Sequence, residues 1–199
     1  MTAIRGVILC GGRSSRMGTD KGMIKSMNNT WAKIAVQKIS SLHLDTCLSV
    51  NQHQLNEYSG AFHELPLIED DDTLQVKGPM TGILSVHLRY PHDDLLVLAC
   101  DMPLMETVVL NQLLSVYQED KSAQAFVFTN DAEPEPLCAV YTARGLAVIL
   151  GLVHEKKITR FSIKFMLQHL TTVSIVLDDK QKKYFLNFNT QEELNRLQV

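Results

Sequence analysis

The stretch Gly6–Lys21 has the sequence GVILCGGRSSRMGTDK, in which an apolar run leads straight into a glycine-rich, basic loop. The run Val7–Cys10 is free of polar residues, which is typical of a strand buried on both faces of a parallel sheet. Gly11 and Gly12 follow it, and glycine can bring bare backbone N–H groups against a phosphate because it has no Cβ. The stretch therefore predicts a strand that delivers a phosphate-binding loop to the edge of an α/β sheet.

The charges in this loop support the same interpretation. Arg13, Arg16 and Lys21 supply positive charge for a polyanion, and arginine can hold phosphate oxygens in a bidentate fork. The interval from Gly12 to Gly18 fits neither the dinucleotide fingerprint G-x-G-x-x-G nor the Walker loop G-x-x-x-x-G-K-[ST]. A different kind of nucleotide site is indicated.

Composition limits the remaining possibilities. A chain of 199 residues with 45% hydrophobic residues suits one globular domain, which we expect to span residues 1–199. A net charge of −3 gives no basic field for nucleic acid, and no apolar stretch approaches the ~18–20 residues of a membrane span. No signal-like pattern opens the chain. The four cysteines are scattered without a C-x-x-C pair, which favours a reducing, cytoplasmic setting over a zinc site or disulfides.

Strand-like and helix-like segments alternate along the chain. The predicted strands are Val7–Cys10, Cys47–Val50, Leu65–Ile68, Leu95–Cys100, Ala125–Thr129, Leu137–Tyr141 and Val173–Leu177. The predicted helices are Trp31–Leu42 with Thr30 as its cap, Pro79–Tyr90, Val108–Tyr117, Leu146–His154 and one that begins near Thr190. This order predicts a doubly wound α/β fold, a mostly parallel sheet with helices on both faces.

In such sheets ligands bind beyond the carboxyl ends of the strands. Gly11, Asn51, Asp70 and Asp101 each follow a predicted strand, so we expect them at one edge of the sheet. Asp101 is a lone carboxylate at the exit of a buried strand, where it could bind Mg²⁺ together with phosphate oxygens. The alternative is that Asp101 only caps the next helix.

The loop resembles L-x-G-G-x-S-x-R-M-G-x-D-K, the signature of the molybdenum cofactor guanylyltransferases (the molybdopterin-guanine dinucleotide biosynthesis protein A family). Further segments are similar to motifs of that family in the same order. They are Ser49–Asn51 at a strand end, the Glu69-Asp70 pair, Gly78–Ile83 (family G-P-L-A-G-I), Cys100–Pro103 (family C-D-x-P) and Asn187–Glu193 (family N-x-N-T-P-E-E). The resemblance covers nearly the whole chain. It departs from the pattern at Cys10, Thr81 and Gln191, where the family usually has alanine, a small apolar residue and proline.

The resemblance implies a Rossmann-like nucleotidyltransferase that moves GMP from GTP to molybdopterin and releases pyrophosphate, with Mg²⁺ as cofactor. It implies catalytic roles for Arg16, Lys21 and Asp101, with Asp101 also the metal ligand. It implies nucleotide contacts from Leu9, Cys10, Gly11, Gly12, Lys21, Asn51, Asp70, Gly78 and Asp101, and places Asn187 and Asn189 on the pterin side. Its expected partners, besides the two substrates, are other proteins of molybdenum cofactor biosynthesis or the enzymes that receive the product.

Other functions remain open from the sequence. The nearest is a cytidylyltransferase acting on the same pterin, although its members more often carry A-A-G-x-G in the first loop and lack the G-P-L-A-G-I segment. Sugar-1-phosphate nucleotidyltransferases are usually longer. A non-catalytic nucleotide sensor is disfavoured because Lys21 and Asp101 are both present.

Two cysteines stand immediately before the two main motifs. Cys10 closes the first strand and Cys100 the strand that leads to Asp101. In a doubly wound sheet these strands are neighbours, so the two thiols are expected to lie close together. They could be a small, inert buried pair or a pair whose oxidation silences the site.

Overall fold

The structure, a computed structural model, describes residues 3–11, 20–26, 28–190 and 192–193. Its strands are β1 (Ile4–Leu9), β2 (Lys25–Ser26), β3 (Asn29–Thr30), β4 (Asp45–Val50), β5 (Leu67–Glu69), β6 (Asp94–Ala99), β7 (Ala125–Asn130), β8 (Glu133–Tyr141) and β9 (Thr172–Val176). Its α-helices are α1 (Trp31–Ser40), α2 (Leu55–Ala61), α3 (Pro79–Arg89), α4 (Thr107–Glu119), α5 (Ala143–His154) and α6 (Ile163–Leu167).

A seven-stranded sheet with the order β5-β4-β1-β6-β8-β7-β9 forms the centre of the fold. Only β8 runs against the others, pairing antiparallel with β6 and β7, and every other pairing in this sheet is parallel. The chain moves outward from β1 to β4 and β5, then returns to the other side of β1 with β6. The doubly wound, mostly parallel fold predicted from the sequence is confirmed.

The central strands are covered on both faces, which explains their apolar sequences. One face packs against α1, α2 and α4 through residues such as Ile39, Tyr58 and Leu110. The other packs against α3, α5 and α6 through residues such as Ile83 and Ile149. Burial on two sides leaves no alternation of polar and apolar residues in β1 or β6.

The observed strand β8 is longer than the predicted Leu137–Tyr141 because it extends back through two prolines. Ala139–Tyr141 pair with both β6 and β7, whereas Pro134 pairs with β7 alone. A proline N atom cannot donate to a sheet ladder, so this half of the strand is where prolines are tolerated. A register shift after Val127 accommodates the change along β7.

Three further elements were not predicted. The β2–β3 hairpin is two residues long on each side, and α6 spans only five residues. Helix α2 has one fully buried side chain, Tyr58, so its sequence shows no apolar periodicity. Among the residues that the structure describes, no helix has both the length and the apolar character needed to cross a membrane.

Candidate active site

The strands β1, β4, β5 and β6 are parallel, so their carboxyl ends share one edge of the sheet. Gly11, Asn51, Asp70 and Asp101 all emerge there. Backbone hydrogen bonds fix this edge beyond the regular ladder: Gly11 N donates to Ser49 O at 3.2 Å, and Asp70 N donates to Val50 O at 2.9 Å. The structure therefore brings together the strand-end residues singled out from the sequence.

Gly11, Asp70 and Asn51 lie against one another. A Cβ on Gly11 would be 3.3 Å from Asp70 Oδ2 and 3.9 Å from the backbone N of Asn51, which is tight packing for any larger residue. The side-chain oxygen of Asn51 accepts a hydrogen bond from His53 N at 3.0 Å, as in an Asx turn. That turn leaves the Nδ2 group of Asn51 as the part of its amide that could meet a ligand.

Lys21 and Asp101 form an ion pair across the switch point between β1 and β6. Lys21 Nζ is 3.1 Å from Asp101 Oδ2, and the side chains are 32% and 18% exposed. The other oxygen, Asp101 Oδ1, is buried and has no hydrogen-bond partner among the described residues. Because a buried carboxylate oxygen without a partner costs free energy, this atom is suited to a ligand that is not part of the chain.

Asp101 does not cap the following helix. Helix α4 begins at Thr107 with Glu106 in the capping position, and Cys100 and Asp101 lie in a turn after β6. The capping alternative is therefore wrong, and the carboxylate of Asp101 points into the edge of the sheet beside Lys21.

The C-terminal segment docks on the same turn. Phe188 N donates to the carbonyl of Asp101 at 3.0 Å, and the Phe188 ring packs edge-on against Trp31 with 6.5 Å between ring centroids. Asn187 and Asn189, which flank this anchor, are both exposed. The expected pterin-side residues thus lie on the two sides of a buried phenylalanine tied to the Asp101 loop.

Gly78 precedes α3 with a backbone that other residues rarely adopt. Its φ is 69° and its ψ is −153°, and Pro79 then occupies the first turn of the helix. A glycine is required here by conformation, and the open space around it would also admit a ligand.

A cavity of about 200 Å³ opens at this edge of the sheet, and Asn51, Asp70 and Gly78 lie outside its lining. Its walls come from Leu9–Gly11, Asp20 and Lys21, Ala99–Asp101 and three single side chains, Gln54, Pro79 and Leu137. Leu9, Cys10, Gly11, Lys21 and Asp101, which the resemblance implicated, all line it. Gly12 and Arg16 lie outside the described residues.

Burial raises the pKa of two groups at this edge, Asp70 and Cys100. Burial and the charge of Asp72 together raise the pKa of Asp70 to about 6, against an opposing effect of the Ser49 hydroxyl, which makes no hydrogen bond of good geometry. Cys10 and Cys100 directly follow the adjacent strands β1 and β6, and all four cysteines are buried and free. The neighbouring Cys10 side chain, together with burial, raises the pKa of Cys100 well above its usual value. A thiol with a raised pKa is a poor nucleophile, so the inert alternative stays the favoured prediction for this pair.

The carboxylate of Asp101 fits a hard cation whose other ligands are phosphate oxygens and water. Within the described ranges, no group of three or more His, Cys, Asp and Glu side chains is arranged to hold a metal ion. Mg²⁺ commonly uses one or two carboxylates and completes its octahedron with phosphate oxygens and water. The unpartnered Asp101 Oδ1 supplies one such ligand.

Sequence reasoning did not find Gln54 and Tyr58, which contact Asp20 at the end of the loop. Their spacing of four residues, one helical turn apart, is the only pattern that could have pointed to them. No chemical motif marks them, because a glutamine and a tyrosine at this spacing occur on many surface helices.

Comparison with known proteins gives the same fold and places the chain in a family. A probable molybdenum cofactor guanylyltransferase from Flavobacterium johnsoniae is 26% identical over 199 residues, covering 100% of this chain and 98% of the relative. A protein of the same description from Methanothermobacter thermautotrophicus is 30% identical, covering 94% and 95%. The crystal structure of molybdopterin-guanine dinucleotide biosynthesis protein A from Archaeoglobus fulgidus superposes with a TM-score of 0.78 at 22% identity, covering 96% and 95% of the two chains. The model of the MobA-like NTP transferase domain matches residues 6–172, and the chain belongs to that family.

Proposed function

We propose that this protein transfers GMP from GTP to molybdopterin, with or without bound molybdenum, and releases pyrophosphate. The observation that carries the proposal is the pairing of Lys21 with one oxygen of Asp101 while the other oxygen is buried without a partner, at the strand edge beside Gly11. The relatives described as probable molybdenum cofactor guanylyltransferases, matched over nearly their full length, support the choice of substrates.

The terminal phosphate of molybdopterin attacks the α-phosphorus of GTP, a new P–O bond forms, and the bond to the pyrophosphate oxygen breaks. A phosphate nucleophile is already ionised at neutral pH, so no general base is required. Catalysis then consists of positioning and of neutralising charge. This agrees with a site whose described polar groups are lysine, carboxylates, amides and backbone N–H groups.

Individual residues take the following parts. Lys21 binds the β- and γ-phosphates, together with the backbone of Gly11 and Gly12 and the guanidinium of Arg16. Asp101 Oδ1 would hold Mg²⁺, which would supply charge neutralisation for the α-phosphate and the leaving group.

The remaining site residues face the base and the acceptor. Asp70 and Asn51 face the nucleoside, and Gly78 gives the nucleotide room at the start of α3. Asn187 and Asn189 face the pterin.

The residue at position 21 offers a direct test of phosphate binding. Removal of one preorganised donor from a developing anion costs about 10²–10³ in rate, so Lys21→Ala is expected to lose that much turnover. Its affinity for GTP should fall much more than its affinity for GMP. Equal losses of affinity for the two nucleotides would show that Lys21 does not bind the β- and γ-phosphates.

The whole proposal is tested by measuring pyrophosphate release from each of the four ribonucleoside triphosphates in the presence of molybdopterin and Mg²⁺. Buried polar groups arranged for guanine reject a base that leaves them unpaired, so GTP should be strongly preferred. Preferential release from CTP would assign the protein to cytidylyl transfer. Nucleotide binding without pyrophosphate release from any of the four would indicate a binding module.

We further propose that the protein works in the cytoplasm, which is consistent with its four free cysteines. Its partners would be other proteins of molybdenum cofactor biosynthesis or the apo-enzymes that receive the dinucleotide.

A further inference from the structure

Asp20, the residue before Lys21, is held by three hydrogen bonds. Its Oδ1 accepts from Gly22 N at 2.8 Å and from the Tyr58 hydroxyl at 2.8 Å, and its Oδ2 accepts from Gln54 Nε2. The Gly22 bond caps the short 3-10 helix Lys21–Met23, which carries Lys21 in its first turn. The side chain of Asp20 therefore fixes where this helix begins.

Gln54 connects three parts of the site through one side chain. Its Nε2 donates to the carbonyl of Cys10 at 2.9 Å as well as to Asp20, and its Oε1 accepts from Asn51 N at 2.8 Å. The residue is only 7% exposed, so these bonds form largely out of contact with water. The end of β1, the end of β4 and the start of the Lys21 helix are thereby held at fixed positions relative to one another.

Tyr58 supports the same carboxylate from α2. Its side chain is fully buried, and its ring stacks on Phe62 with 5.5 Å between centroids. Burial raises the pKa of Tyr58, so the hydroxyl keeps its proton and acts as a donor to Asp20. A Cβ on Gly22 would overlap the Tyr58 hydroxyl, so glycine at that position is what allows the two groups to meet.

We infer that Gln54 and Tyr58 are positioning residues, which fix Asp20 and so hold Lys21 against Asp101 before the nucleotide arrives. Donors that are already in place when charge develops stabilise it without a cost of reorganisation. The part of this inference that concerns the nucleotide rests on the proposed function, whereas the placement of Lys21 in the free protein does not.

The chain provides a matched control for the loss of a buried tyrosine hydroxyl. Tyr117 donates to Asp94 Oδ2 at 2.6 Å, and Tyr117 is 7% exposed. Asp94 is the first residue of β6, so this pair lies at the opposite end of the strand from Asp101. Tyr58→Phe and Tyr117→Phe each remove one hydrogen bond from a buried tyrosine to a carboxylate, and only the first should affect Lys21.

The first experiment measures acylation of Lys21 by acetic anhydride in the free protein, with peptide mass spectrometry as the readout. A Nζ group held against Asp101 is less available to the reagent than one that moves in solvent. We expect Tyr58→Phe, which removes one hydrogen bond to Asp20, to speed acylation of Lys21 by about tenfold. Gln54→Met removes three hydrogen bonds and should speed it by at least as much. Tyr117→Phe should leave the rate unchanged, and an unchanged rate in Tyr58→Phe would overturn the inference.

The second experiment is a double-mutant cycle on kcat with GTP. Tyr58→Phe should lower kcat about tenfold in the wild-type background and have no further effect when Lys21 is alanine, because both changes remove one function. Equal losses in the two backgrounds would show a merely structural role and contradict the inference. If the wild type transfers no nucleotide but its acylation pattern is as expected, the proposed function fails and the placement of Lys21 stands.

Discussion

The two carboxylate oxygens of Asp101 lie in different surroundings. One oxygen meets Lys21, and the other is buried with no partner in the described part of the chain. The first oxygen needs a negative charge to hold the lysine, and the second needs a hard cation to balance its burial. A single carboxylate can thus serve both the cationic side chain and the metal proposed for this site.

This division predicts the behaviour of Asp101→Asn. The amide keeps the shape of the side chain and removes the charge from its buried, unpartnered oxygen, so the free energy of unfolding should change little. Nucleotidyl transfer should fall sharply because the amide is a neutral and poorer ligand for Mg²⁺. Titration of activity against Mg²⁺ checks this, and near-normal turnover of the variant at sub-saturating Mg²⁺ would contradict the assignment.

Asp70 predicts a pH dependence of nucleotide binding. Burial raises its pKa to about 6, so the carboxylate that could accept from the guanine edge is protonated below that pH. Affinity for GTP should therefore be full above pH 7 and decline as the pH falls through 6. In Asp70→Asn this dependence should be absent and the affinity at pH 8 reduced.

Comparison of the Asp70→Asn variant with the wild type at each pH cancels the ionisation of GTP itself. A second check uses guanosine, which has no phosphate and should show the same pH dependence in the wild type. Identical pH profiles for the two proteins would remove Asp70 from base recognition.

At the scale of elements, the start of α3 is sensitive to backbone conformation. Gly78→Ala places a Cβ on a residue with φ 69° and ψ −153°, which should destabilise the protein by about 1–3 kcal/mol. Gly151→Ala makes the same chemical change inside α5, where a Cβ meets nothing within 4 Å, and should stabilise by about 0.5–1 kcal/mol. Urea unfolding of both variants measures whether each substitution raises or lowers the free energy of unfolding. An unchanged free energy of unfolding in Gly78→Ala would contradict the strain at this position.

Which elements the sequence could predict depends on how each one is buried. Strand β6 and helix α3 are covered by other elements, and their apolar residues outline them to within one residue, whereas β1 begins three residues before the predicted Val7. Thr30 was expected to cap α1, and its Oγ1 does accept from Lys33 N at 3.3 Å. Helix α2 buries one side chain and caps with no side-chain bond, so neither periodicity nor a cap marks it.

The sequence also predicted only part of the candidate site, for a different reason. The strand-end rule for parallel sheets was enough to bring Gly11, Asn51, Asp70 and Asp101 to one edge. The contacts of Gln54 and Tyr58 depend on the angle at which α2 packs beside the loop. That angle is set by tertiary packing and has no local sequence pattern.

At the scale of the whole molecule, His87 predicts how stability varies with pH. Its side chain is 3% exposed, its Nδ1 has no partner among the described residues, and burial lowers its pKa. The unfolded chain therefore binds a proton near pH 6.5 that the folded protein resists, so stability is full above that pH and is lost as the pH falls.

The test compares the free energy of unfolding of wild type and His87→Leu at pH 8 and pH 5.5. The wild type should lose more stability between these conditions than the variant, because only the wild type has to protonate a buried imidazole. Equal losses would mean that His87 is solvated in the folded state.

The expectation of a single domain over residues 1–199 remains a prediction. The two apolar clusters lie on opposite faces of one sheet, which favours a single cooperative unit. Coincident urea transitions followed by tryptophan fluorescence and by circular dichroism would support it. Two separated transitions would show two units.

The four buried cysteines lie at two depths. Cys47 and Cys138 are fully enclosed in the sheet, and Cys10 and Cys100, each 5% exposed, line the cavity at its edge. A thiol reagent reaches such residues only when the protein opens around them. The labelling rates of the first pair would therefore follow complete unfolding, and those of the second pair would also record smaller openings of the nucleotide edge. The four cysteines are thus natural reporters. In one labelling experiment they could separate the rate of global unfolding from the rate of local opening at the nucleotide-binding edge.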